Sequence, residues 1–146
     1  MTNQSNAPVI KEVLLDAPAQ KVWEAITDKK KMKEWYFDVS DFKPEVGFEF
    51  SFEGGDPKGD IYVHLCKVTE VVPGRKLVHS WRYQGYEGNS FVSWELFPEG
   101  DKTKLILTHT GLDTFPADNK AFARENFNMG WTEITGTNLP QYLAKN

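Results

Sequence analysis

Val46, Phe48, Phe50 and Phe52 alternate with Gly47, Glu49, Ser51 and Glu53. A repeat of two this regular belongs to a strand with one wet face and one buried face. Such a strand needs neighbours on its edges and a cover on its apolar side. Downstream runs at 61–72, 76–83, 91–97 and 104–110 are rich in β-branched and aromatic residues, as strands are. The sequences GGDPKGD, Pro73-Gly74, GYEGN and PEGDK lie between the runs and supply the residues that tight reversals use. Five strands joined by short turns make an antiparallel meander, and its apolar face must be covered.

The flanking sequence provides that cover. A first strand is predicted at Val9–Leu15. Asp16 is placed to cap a helix with Pro18 in its first turn, and Val22, Trp23 and Ile26 fall on one stripe of it. Asp28 is expected to cap a second short helix, KKKMKEW, which brings Met32, Trp35 and Tyr36 toward the sheet. From about Asp118 the pattern is helical again, with Phe122, Phe127, Trp131, Ile134 and Leu139 near one stripe and Met129 and Tyr142 beside it. Gly136 and Pro140 interrupt this segment. The expectation is a helix through Leu143 with a bend between them; the alternative is a stop near Thr135 and a short second helix. At 146 residues the chain fits one domain, taken as residues 9–146 behind a flexible tail at 1–8.

Composition narrows the function classes. A net charge of −4 is not built to neutralise phosphates, so no nucleic-acid partner is expected. Cys66 is the single cysteine, so no intrachain disulfide can form. No apolar run is long enough to span a membrane, and the opening MTNQSNAP lacks the apolar stretch of a signal peptide. A cytoplasmic location, with no membrane partner, is the default expectation. A monomer or weak homodimer is expected.

Particular segments carry a family resemblance: APAQKVWEAITDKKKMKEWY, VTEVVPGRKLVHSW, GDKTKLILTHTG and NMGWTEITGTNLPQYL, the last with the pair Gly130-Trp131. In order and spacing the chain resembles the START-like (SRPBCC) helix-grip superfamily. Within it, the chain is similar to homologues of the activator of heat-shock-protein ATPase, a name that brings a stress-response association. The resemblance implies an α+β fold. A curved antiparallel sheet of about six strands, two short helices after the first, would wrap a long C-terminal helix around an apolar cavity. The family has no shared catalytic residues.

Strand pairing allows the lining to be chosen. If Val72 and Arg75 flank the Pro73-Gly74 turn, Cys66 faces Trp81 and His64 faces Tyr83. His64, Cys66, His79, Trp81 and Tyr83 then share one face, yet the apolar Ile61, Val63 and Leu65 point the other way. A bulge would reconcile the two strands, and the sequence does not place it. The Trp81 face is taken as inward, following the family's buried tryptophan at this signature. The expected lining is Trp35 from the second helix and Phe48, Phe50 and Phe52 from the alternating strand. His64, Trp81 and Tyr83 follow, then Trp94 and His109, and finally Phe127, Trp131 and Ile134 from the terminal helix. An empty void of ~300 Å³ would cost about 7 kcal/mol, against a net stability of about 5–15 kcal/mol. Large aromatics can shrink that space.

The expected function is binding of an apolar or aromatic, lipid-like small molecule in this cavity. A co-chaperone-like module acting on a heat-shock-protein ATPase is the second reading, with a chaperone as partner. Against it, family members in that role carry another domain ahead of this one, and here about eight residues precede the fold. A cyclase or hydrolase using His64 or His109 as a general base is the third. No catalytic residue is assigned. His64-x-Cys66 with His109 is a loose metal arrangement and no CxxC, HxxxH or HExxH spacing occurs, so neither metal nor cofactor is expected. Cys66 has no evident cationic neighbour to make it a nucleophile. Lys29, Lys30, Lys31 and Lys33 read as a solvated helix face.

Overall fold

The computed structural model describes residues 7–55, 61–116, 118–119 and 122–145. Six strands form one antiparallel sheet: β1 (Val9–Leu15), β2 (Glu49–Gly55), β3 (Ile61–Val72), β4 (Lys76–Tyr83), β5 (Ser90–Glu99) and β6 (Lys102–Thr110). Their order across the sheet is β1-β6-β5-β4-β3-β2. The meander therefore runs from β2 to β6, and β1 closes onto β6 with Val9 opposite His109. Two short helices, α1 (Ala19–Thr27) and α2 (Lys29–Trp35), follow β1, and a long helix ends the chain. This is the α+β helix-grip arrangement expected from the sequence. The GGDPKGD turn lies mostly outside the described residues.

Alternation places the core. On β4, β5 and β6 the buried positions are every second residue: Leu77, His79, Trp81 and Tyr83; Ser90, Val92, Trp94 and Leu96; Thr103, Leu105, Leu107 and His109. The missing bulge lies on β3, where the register with β4 shifts between Val68 and Glu70. Beyond the shift Val72 pairs with Lys76, so the turn is one residue wider than Val72 and Arg75 would make it. His64 still faces Tyr83. The extra residue at 69 lets His64, Cys66 and Val68 point inward while Ile61, Val63 and Leu65 face out.

Several boundaries differ from the sequence expectation; β5 runs Ser90–Glu99 where the sequence predicts 91–97, and β6 starts at Lys102 where it predicts 104. Strand β2 begins at Glu49, not Val46; Gly47 at φ 94° turns the chain there and leaves Val46 exposed. Asp16 does not cap α1, whose N-cap position is Pro18 with no side-chain hydrogen bond. Asp28 does cap α2, accepting from the backbone amides of Lys30 and Lys31. The terminal helix starts at Arg124, not Asp118. The Arg124 guanidinium donates to the carbonyls of Ala7 and Pro8, which ties the helix start to the approach to β1.

The terminal helix continues past Gly136 and Pro140. It comprises α3 (Arg124–Glu133), a π-helical segment (Ile134–Asn138) and α4 (Leu139–Lys145). Pro140 has no amide hydrogen, and in regular α geometry its ring would press on the Gly136 carbonyl. The wider turn relieves that conflict, and the Leu139 amide reaches back to the Ile134 carbonyl. The extra residue in the turn also rotates the buried stripe. Thr135 and Leu139 are fully inside, whereas Ile134 is only half-buried.

Candidate functional site

The space between the sheet and the terminal helix is occupied by aromatic rings. His64 stacks on Phe52 at 4.4 Å and meets the edge of Trp81 at 4.8 Å. Trp131 descends from α3 to within 5.5 Å of Trp81 and 5.6 Å of Trp94. Phe127 packs edge-on against His109 at 5.1 Å, and Trp35 against Trp94 at 6.2 Å. Ten of the predicted lining residues are thus buried in one cluster: Trp35, Phe50, Phe52, His64, Trp81, Tyr83, Trp94, His109, Phe127 and Trp131. Phe48 and Ile134 stay at its margin, half-buried.

The polar atoms inside this cluster are tied together in a fixed sense. Trp131 Nε1–H donates to His109 Nδ1 at 3.0 Å. His109 Nε2 lies 2.8 Å from Ser90 Oγ, and Ser90 donates its own proton to the Trp81 carbonyl at 2.7 Å. His109 must therefore be neutral with its proton on Nε2. In a second relay Trp94 Nε1–H donates to His79 Nε2, and His79 Nδ1 donates to the Ser80 carbonyl. His64 Nδ1 donates to the Tyr62 carbonyl, Trp35 Nε1–H to the Ala25 carbonyl, and Trp81 Nε1–H to Tyr83 Oη. Burial pushes His64 and His79 down to about 4 and His109 to about 3, the last also feeling the other two histidines. Both histidines in the relays use their lone pairs on indole N–H groups, so neither has a free lone pair for general-base work. Burial pushes the Cys66 thiol up, away from the thiolate a nucleophile needs. Among the described residues, no three His, Cys, Asp or Glu side chains are arranged to hold a metal.

One hydroxyl stands apart. Tyr36 Oη is buried and has no hydrogen-bond partner, the sole such side-chain atom among the described residues. The Tyr36 ring lies among Trp94 (5.8 Å), Phe52 (5.8 Å) and Trp131 (6.4 Å). Desolvation pushes its ionisation well up, with smaller effects from Cys66 and Tyr83, so it is a neutral O–H. The sequence reading brings Tyr36 toward the sheet with Met32 and Trp35 but does not single out its hydroxyl, because a missing partner is not a property of helical spacing.

Tyr36 also separates two spaces. On the inner side, with Trp35, Phe50, His79 and Trp94, it lines a void of about 10 Å³, about what one water needs. On the outer side, Glu34, Trp35, Tyr36, Asn138, Gln141, Tyr142 and Lys145 line an open cleft of about 370 Å³. Along this wall, the interior space lined by the described residues is that small void, with aromatic rings packed around it.

A family model described as activator of Hsp90 ATPase homolog 1-like protein matches residues 16–144. The chain belongs to that family. Comparison with curated proteins gives no match. Among solved structures, the protein MLL2253 from Mesorhizobium loti is 27% identical with a TM-score of 0.77, over 96% of this chain and 98% of that one. CalU16 from Micromonospora echinospora is 26% identical with a TM-score of 0.71, over 92% of this chain and 74% of that one. DynU16, described as a protein in the dynemicin biosynthetic locus, shares the fold at 24% identity with a TM-score of 0.76. The likeness covers 94% of this chain, which spans about half of DynU16, 47%. Among the described residues no helix is long and apolar enough to cross a membrane.

Proposed function

We propose that this family member binds an apolar, aromatic small molecule between its sheet and terminal helix. The observation that carries the reading is the unpartnered hydroxyl of Tyr36, a residue that lines a void, among described residues whose other buried side-chain nitrogens and oxygens each make a hydrogen bond. A buried unsatisfied hydroxyl costs about 1–3 kcal/mol, so its retention calls for a physical reason. A guest with a polar atom at that point provides one. The smallness of the void along this wall accords with this, since a ligand-sized void left empty would cost a large part of the net stability. Rings that close over the space in the free protein avoid that cost until a guest replaces their contacts. The shared Trp35–Tyr36 wall makes the outer cleft the shortest way in. The likeness to DynU16, from a biosynthetic locus, supports small-molecule chemistry as the setting.

A thermal-shift screen of planar apolar compounds tests this, because a ligand that binds only the native state raises Tm by mass action. Hits should also quench tryptophan fluorescence, given that Trp35, Trp81, Trp94 and Trp131 surround the site. No shift across a broad aromatic and lipid panel at saturating concentration would remove the reading.

A further inference from the structure

Which guests fit follows from counting the donors and acceptors left over in this interior. The indoles of Trp35, Trp81, Trp94 and Trp131 are committed, as are His79, His109 and Ser90. Two O–H donors remain among the described residues, beside one acceptor, the His64 Nε2 lone pair left when Nδ1–H donates to the Tyr62 carbonyl. One is Tyr36 Oη, with no partner at all. The other is Tyr83, whose oxygen accepts from Trp81 Nε1–H while its proton has no partner. No Lys, Arg, Asp or Glu is among the buried polar residues; these are His64, His79, Ser90, Thr103, His109 and Thr135. The site thus offers hydrogen-bond donors without a balancing charge. A carboxylate or phosphate carried inside would be desolvated with no cation beside it, a cost of several kcal/mol. An ammonium would likewise find no carboxylate beside it to balance its charge. An uncharged oxygen acceptor meets both conditions.

Resting on the binding reading above, we infer that the guest is an uncharged, planar molecule whose carbonyl-type oxygen accepts a hydrogen bond from Tyr36 Oη. The flat aromatic walls select planarity, and the phenol selects the acceptor. Free fatty acids and other anionic lipids are excluded from the interior by the same chemistry. Tyr36→Phe is the clean variant, because it removes a hydroxyl that bonds to nothing in the free protein. Tyr83→Phe is not clean, since it would leave the Trp81 indole N–H unpaired.

Three matched probes separate the possibilities: fluorene, 9-fluorenone and fluorene-9-carboxylate, titrated by tryptophan quenching and calorimetry. Fluorenone should bind the unmodified protein up to about tenfold more tightly than fluorene, the worth of one hydrogen bond. The carboxylate should not bind. Tyr36→Phe should erase the preference for fluorenone, and the Tm of the free variant should be unchanged or higher. Equal binding of fluorene and fluorenone, a preference that survives in Tyr36→Phe, or tightest binding of the carboxylate would overturn the inference while leaving the binding reading in place. If none of the three binds at its solubility limit, the inference is overturned, whereas the binding reading falls only if the broad thermal-shift panel is also silent.

Discussion

Acid should destabilise this protein steeply as pH falls below about 6.5, and the three buried histidines set the window. His64, His79 and His109 are 7%, 3% and 0% exposed, and their folded-state values lie near 4, 4 and 3 against an ordinary 6.5. The unfolded chain takes up protons below about pH 6.5, whereas the folded chain does not until near pH 4. Stability contributed by the neutral histidines is therefore fully present above 6.5 and is lost as pH falls toward the folded values. Each histidine contributes about 1.4 kcal/mol per pH unit in that interval. Between pH 6.5 and pH 5 the three together remove roughly 5 kcal/mol, comparable with the whole net stability of an ordinary domain. Urea unfolding followed by tryptophan fluorescence at pH 7.5, 6.5, 5.5 and 5.0 measures this. The midpoint should fall steeply below pH 6.5 with little change in slope. His64→Phe, whose ring would stack on Phe52 in the same place, should flatten the decline by about a third. A stability that changes by less than about 1 kcal/mol from pH 7.5 to pH 5 would refute the reasoning.

Two substitutions test the scaffold. Gly88 has φ 107°, and a Cβ there would lie 2.6 Å from both Phe115 Cδ1 and the Thr114 carbonyl oxygen. Gly88→Ala should therefore cost about 2–4 kcal/mol in urea unfolding, and an unchanged midpoint would dismiss the close approach. Ser90→Ala should cost about 2–4 kcal/mol, because His109 Nε2–H and the Trp81 carbonyl both lose their partner at a fully buried position. A loss below about 1 kcal/mol would show that the relay is not a coupled unit.

Much of the fold was legible because it rests on local periodicity. The alternation through Phe48, Phe50 and Phe52 and the Pro73-Gly74 turn each encode their structure within a few residues, and β3 and β4 have the bounds the sequence predicts. Less legible were features set by geometry between elements. The bulge at residue 69 is needed because β3 carries apolar side chains on both faces, but alternation cannot say where the extra residue goes. The π segment arises from a conflict between Pro140 and the carbonyl four residues earlier, which read as a bend between Gly136 and Pro140 rather than an added residue. The inward face carrying Trp81 and His64 was legible, and ten of the twelve residues expected to line a cavity are buried in one cluster. The tight ring packing around Tyr36 was not legible, because how far rings interpenetrate depends on sheet curvature. Nor was the solitary Tyr36 hydroxyl, since having no partner is a property of the finished interior.

The π segment has a consequence for how one helix can serve two neighbours. A single added residue advances the winding by about 100°, so the stripe before Ile134 and the stripe after Asn138 are out of phase. The first half, α3, lies against β1, whereas α4 lies against α2. Lys21 of α1 caps the far end by donating to the Leu143 carbonyl at 3.0 Å. An uninterrupted α-helix would aim both halves in one direction and lose one of these attachments. The insertion acts as an angular offset that lets a continuous rod grip the first strand at one end and the second short helix at the other.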